Sequence, residues 1–255
     1  RCPMLSSFRD IRRFEVDGSD GRVGRVTDLL FDDRDWRVRY LVVDTGGVLR
    51  PHPVLLGPEL VERVASEERT IVVRVEAERV RESPPVESHP PVSRRQEEAM
   101  RAYFGLPPLH MPPAPGVDVW GQPVDRRAPH PVEVERRAVE AENHDPHLRS
   151  ARTWLGYGVE GTGEHLGAVD DLLVEPGETW RVRHLVVDTG RWLPGEQRLV
   201  ATAWIGAVSH DARCVRVDAD RERMRQAPDF ETAEDIDHGA ERWLFRHYGF
   251  AREHE

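Results

Sequence analysis

Apolar and polar positions alternate with a period of two through the stretch around Gly24–Asp32. Val26, Asp28 and Leu30 are set against Arg25, Thr27, Leu29 and Phe31. The next segment does the same, with Val38, Tyr40 and Val42 against Arg39, Leu41 and Val43. Such segments, rich in β-branched residues, predict strands that are half-buried or buried on both faces. Asp32–Asp35 supplies turn chemistry between them, and Gly46-Gly47 breaks the second. Further strands are expected near Val54–Leu56 and Ile71–Val75. Several short strands with no long helix among them argue for a small closed barrel, in which closure would remove exposed sheet edges.

The pattern is written twice. WRVRYLVVDTG at Trp36–Gly46 returns as WRVRHLVVDTG at Trp180–Gly190, with only Tyr40 replaced, by His184. GRVTDLLFD from Gly24 returns as GAVDDLLVE from Gly167, and VRVEAERV from Val73 is echoed by VRVDADRE from Val215. Pro176–Glu178 stands at the second copy's turn, and its later strands fall near Arg198–Ala201 and Cys214–Val217. Three matched segments in one order imply duplicated domains rather than a solenoid, whose repeats run to roughly 20–50 residues.

After each strand-rich block the composition turns helical, at Arg94–Phe104 and Ala240–Tyr248, with a glycine suited to a helix C-cap behind each. Pro107–Pro131 is proline-rich and reads as an extended linker. The expected organisation is a first barrel over residues 5–80, a helix and linker over 81–149, a second barrel over 150–220 and a helical tail over 221–255.

Composition narrows the function classes. Of 255 residues, 38% are hydrophobic and 32% charged, which suits small domains better than one large core. The 36 basic residues are all arginine, and the formal net charge is -10, so the overall field repels phosphate backbones and anionic membranes. Arginines interleave with acidic residues, as in VERRAVEAE, and form no basic stripe, so direct nucleic-acid binding is not expected. Cys2 and Cys214 make no disulfide framework. No apolar run approaches the ~20 residues of a membrane helix, and a soluble cytoplasmic protein is the expectation.

With these residues assembled, GRVTDLLFD, RVRYLVVDTGG, VLLGPELVERV and ERTIVVRV together resemble a PRC-barrel domain. That fold is named for the cytoplasmic part of the photosynthetic reaction-centre H subunit and is shared with the C-terminal part of ribosome maturation factors. The second half, LGYGVEGTGEHLGAVDDLLVE followed by TWRVRHLVVDTGRWLPG, is similar, and DPHLRSA at Asp145–Ala151 resembles the connector of tandem PRC-barrel proteins. The resemblance implies an all-β fold of two PRC-type barrels, each followed by a short helix, and docking or assembly roles rather than one chemistry.

Candidate chemistry is sparse. Asp44-Thr45-Gly46 and Asp188-Thr189-Gly190 end equivalent strands, as the paired carboxylates of a bilobal aspartic hydrolase would. The simpler reading has each Asp capping its own glycine turn. Asn143-His144-Asp145-Pro146-His147 offers two imidazoles around a carboxylate but no third ligand set, so no metal site is assigned. Asp28 and Asp171 occupy one strand position in both copies and read as structural acceptors of backbone or arginine hydrogen bonds, for instance from Arg37, Arg39, Arg181 or Arg183. Trp36 and Trp180 read as core or rim aromatics. Arg191 and Trp192, which replace Gly47 and Val48, are candidate partner contacts. So are Tyr103, Phe104, Trp243, Phe245 and Tyr248 on the tail helices.

The expectation is therefore a non-enzymatic interaction or scaffolding protein without cofactor, acting on protein partners or a second copy of itself as a homodimer. Three alternatives stand beside it. They are a ribosome-assembly or RNA-metabolism adaptor that binds a ribosomal protein, a reaction-centre H-like assembly role, and an aspartic-type hydrolase.

Overall fold

A computed structural model describes residues 5–46, 51–86, 92–107, 147–177, 180–190, 197–227 and 230. The first half holds β1 (Ser6–Ser7), helix α1 (Phe8–Ile11), β2 (Glu15–Gly18), β3 (Gly21–Asp32), β4 (Val38–Asp44), β5 (Pro53–Leu56), β6 (Val61–Ala65), β7 (Thr70–Val73), α2 (Ala77–Arg81) and α3 (Arg94–Phe104). The second holds β8 (Leu148–Ser150), α4 (Ala151–Trp154), β9 (Gly158–Glu160), β10 (His165–Glu175), β11 (Arg181–Asp188), β12 (Gln197–Ala201), β13 (Ile205–Ser209), β14 (Cys214–Val217) and α5 (Arg221–Gln226).

The duplication in sequence is a duplication in topology. One sheet runs β5-β4-β3-β2-β7-β6 and the other β12-β11-β10-β9-β14-β13. All neighbours are antiparallel except β2 with β7 and β9 with β14. Even the register breaks coincide, between Val26 and Asp28 in β3 and between Val169 and Asp171 in β10. Each long central strand carries a glycine near its start for a steric reason. A Cβ on Gly24 would lie 2.1 Å from the Asp44 carbonyl oxygen, and one on Gly167 2.2 Å from that of Asp188.

Neither sheet closes into a ring, contrary to the expectation of a closed barrel. Pro53 opens β5 without an N–H to donate. The outer side of β5 instead takes the Val86 N–H on Pro53 O at 2.9 Å and a bridge between Val54 and Pro85. Among the described residues strands β6 and β13 are left as edges, each with one ladder partner.

The seventh strand of each sheet comes from the other half. β8 pairs with β3, matching Leu30 to Ser150 and Asp32 to Leu148, while β1 pairs with β10, matching Ser7 to Leu173. The chain then crosses back, so that β2 and β9 lie in their own sheets. Val38 N–H donates to Trp180 O (2.9 Å) and Val182 N–H to Trp36 O (2.8 Å), a second reciprocal pair. The halves are thus woven together around a pseudo-two-fold axis, and their buried side chains form one hydrophobic cluster.

Helix α3 covers the first sheet. A capping box of Ser93 and Gln96 starts it, and Gly105 at φ 70° ends it. Arg101 reaches Glu59 at 3.0 Å, and Glu97 with Arg101 faces the Tyr40 phenol. Burial first, and Glu97 second, push the ionisation of Tyr40 above its ordinary value of 10.0. The equivalent His184 is buried, and burial pulls its pKa down to about 4, so its imidazole is neutral at pH 7.

Strand exchange makes the link between the halves independent of the linker. A site-specific protease site placed within residues 108–146 tests this. After complete cleavage the two fragments are expected to co-elute on size exclusion at native mass and to separate only in denaturant. Separation without denaturant would contradict the exchange.

Candidate functional site

The two exchanged corners are equivalent in backbone but not in chemistry. Their common part is a buried acceptor. Asp28 Oδ1 accepts the N–H groups of Leu29 (2.8 Å) and Arg152 (3.1 Å), and its other oxygen accepts the Ser150 hydroxyl. Asp171 does the same with Leu172 (2.8 Å), Arg9 (3.2 Å) and the Ser7 hydroxyl. Burial raises both pKa values, and the hydrogen bonds offset only part of that rise. The donors arrive from the exchanged segment rather than from the four arginines the sequence suggested, because the register break at Thr27 and Asp170 turns each carboxyl toward it. Arg39 pairs instead with Asp32 at 2.6 Å, and Arg183 with Glu175 at 2.7 Å. A hydrogen bond to a buried carboxylate contributes about 1.5–3 kcal/mol, so each corner is locked.

At one corner a second layer is added. Asp33, on the β3–β4 turn, accepts from Arg149 Nε (2.8 Å) and faces His147 Nδ1 and His210 Nε2, both at 2.9 Å. His147 and Arg149 arrive with β8, and His210 with the β13–β14 turn. Burial alone would raise the Asp33 pKa, but the bonds from Arg149, His147 and His210 outweigh it and hold the carboxyl below its ordinary value of 3.8. Beneath lie stacked aromatics. Trp154 meets Phe31 at 5.4 Å, Trp36 at 5.1 Å, Tyr157 at 5.4 Å and His210 at 6.0 Å. Trp36 holds φ 62°, an uncommon conformation for a bulky residue. Between this corner and β13 an open groove of about 440 Å³ is lined by Asp33, Arg34, Trp36, His147, Arg149 and the stretch Ile205–Val208 with His210.

At the sequence positions of the other corner, Asp33, Arg34, His147, Arg149 and His210 become Pro176, Gly177, Met4, Ser6 and Ser66. Phe31, Trp154 and Tyr157 become Val174, Ile11 and Phe14. The cluster of charged and imidazole groups is therefore confined to one side of a symmetric frame, while both sides keep aromatics, Trp36 at one and Trp180 at the other. Sequence comparison of the copies could have found this site, since the substitutions are visible there. What it could not show was that β8 brings His147 and Arg149 onto the first half.

The other candidates fall as follows. Asp44 Oδ1 accepts the N–H of Gly46 (3.1 Å) and His52 (2.8 Å), and Asp188 Oδ1 that of Gly190 (2.8 Å). Each thus caps its own turn in its own sheet, and among the described residues no hydrogen bond joins the two. Tyr103 donates to Arg79 O at 2.9 Å under the Arg79 guanidinium, and Phe104 is buried beside it. Arg191, Trp192, Trp243, Phe245 and Tyr248 lie outside the described residues, as do Asn143–Pro146. Among the described residues no group of three metal-ligating side chains gathers, and His147 faces Asp33.

Fold and site together define a strand-exchanged pair of small, barrel-like β domains with one elaborated corner. Residues 5–80 match the family model of the PRC-barrel domain, and the chain carries that domain there. None of the curated proteins matches the chain. Among the described residues no helix is long and apolar enough to cross a membrane.

The depressed pKa of Asp33 fixes a pH dependence. A proton binds the unfolded chain more tightly than the folded one, so the stabilisation is complete above pH 3.8 and is lost as pH falls below it. Asp33→Asn is expected to cost about 1–2 kcal/mol in urea unfolding at pH 7, with the gap to wild type closing toward pH 3. A gap that stays constant over that range would contradict the ion-paired assignment.

Proposed function

We propose that the chain is a non-enzymatic interaction module. In this reading its second half is a second copy of the PRC-barrel domain, and the Asp33 corner with its groove engages a protein partner or a second copy of the chain. The observation that carries the reading is the asymmetry between corners. Both are locked alike through Asp28 and Asp171, yet only one carries Asp33, Arg34, His147, Arg149 and His210 over Trp154. Stability requires the common part twice, and the added groups are not needed to hold the frame, since the other corner is locked without them. Aromatic and arginine side chains around a groove are the composition of interaction hot spots.

The pseudo-symmetry supplies an internal control. A photo-crosslinking amino acid placed at Arg34, on the groove wall, is compared with one at the equivalent Gly177, in full-length protein within its native host. A protein adduct formed from position 34 and absent from position 177 is the expected result. Equal adducts from both positions, or none from either, would overturn the reading.

A further inference from the structure

We propose that the groove beside the Asp33 corner binds an extended acidic peptide, which adds as a further strand to the open edge of β13. This rests on the reading of that corner as the partner site, and it names the partner's chemistry.

The backbone carries the first part. Among the described residues β13 ends its sheet with β14 as its single ladder partner, and its residues Ile205–Val208 form one wall of the groove. Sheet edges in monomeric proteins are commonly blunted by charged side chains, because an unpaired row of N–H and C=O groups is a template for another strand. The equivalent edge in the first half obeys this, with exposed Glu62 and Arg63 in the centre of β6. In β13 those positions are Gly206 and Ala207, both exposed, and a Cβ on Gly206 would meet nothing within 4 Å. The two remaining strand ends are already engaged, β5 by Pro85 and Val86 and β12 by the Phe230 N–H on Gln197 O. Among the described residues the uncharged edge is thus the one that faces the groove, and strand addition at a sheet edge is a recurring mode of peptide recognition.

Charge carries the second part. The carboxylates that pair with the groove's cations are hidden, with Asp32 and Asp33 side chains 3% and 9% exposed, while those of Arg34, His147 and Arg149 are 57%, 41% and 31% exposed. What a ligand meets is a row of nitrogen donors with their counter-charges underneath. Such donors suit carboxylates on alternate residues of a strand, set against a chain of net charge -10.

The test uses full-length protein and a fluorescein-labelled octapeptide of alternating valine and glutamate, followed by anisotropy at low salt. The peptide is expected to bind and to protect β13 amides from hydrogen exchange. Affinity should fall at least tenfold when lysine replaces glutamate and when alternate peptide amides are N-methylated. It should fall as far in the double variant Gly206→Glu/Ala207→Arg, which installs the residues the first half already carries at its edge. Equal binding of the lysine peptide, indifference to N-methylation, or tighter binding of single-stranded oligothymidylate at the same edge would each overturn the proposal. If no acidic peptide binds while the position-34 adduct persists, only the strand chemistry fails. If both are missing, the partner site fails with it.

Discussion

Everything else in this molecule depends on two buried carboxyl groups that are satisfied from across the pseudo-two-fold axis. Asp28 and Asp171 sit where desolvation is costly, and each takes a serine hydroxyl and a backbone N–H from a segment belonging to the other half. Without the exchanged segment, each carboxyl would keep only the N–H of its own neighbour. The exchange therefore fixes the register of β1 and β8 and, through the helical turns behind them, places Phe8, Ile11, Ala151 and Trp154 in the core. Two short sheets that would each be marginal alone become one hydrophobic body.

A frame locked twice can vary once. The sequence difference between the corners falls on residues that the lock does not use. Asp33 stands one residue beyond the paired end of β3 and His147 one before β8, joined by the Asp33 N–H on His147 O at 3.0 Å, a bond that Pro176 has no N–H to make at the other corner. The aromatic stack beneath is likewise an enlargement of a smaller apolar contact, with Trp154 and Tyr157 at the positions of Ile11 and Phe14. The open edge of β13 follows the same logic, since Gly206 and Ala207 replace charged residues on an otherwise repeated strand.

The strands and their duplication were legible because period-two patterning and the near-identical WRVR and LVVDTG segments are local properties. The roles of Asp28 and Asp171 were legible only as buried acceptors. Their donors, Ser150 and Ser7, lie more than a hundred residues away in sequence, beyond the reach of any periodicity. Closure of the barrel was expected from strand count, but Pro53 and the returning Pro85–Val86 segment occupy the side of β5 that closure would need. The groove is not legible in the sequence because its walls come from a turn, an exchanged strand and an edge, three pieces that meet only in the fold. No local pattern marks Arg149 or His210, which meet only through Asp33.

The reciprocal exchange is tested most directly by native-state amide hydrogen exchange at Arg9 and Arg152. Both amides lie in short segments that would fray if they were free. The account predicts that the two are protected close to the global unfolding limit, and protected together, because each N–H is held on a buried carboxyl of the opposite half. Fast exchange at either amide, at the rate of an unstructured chain, would contradict it.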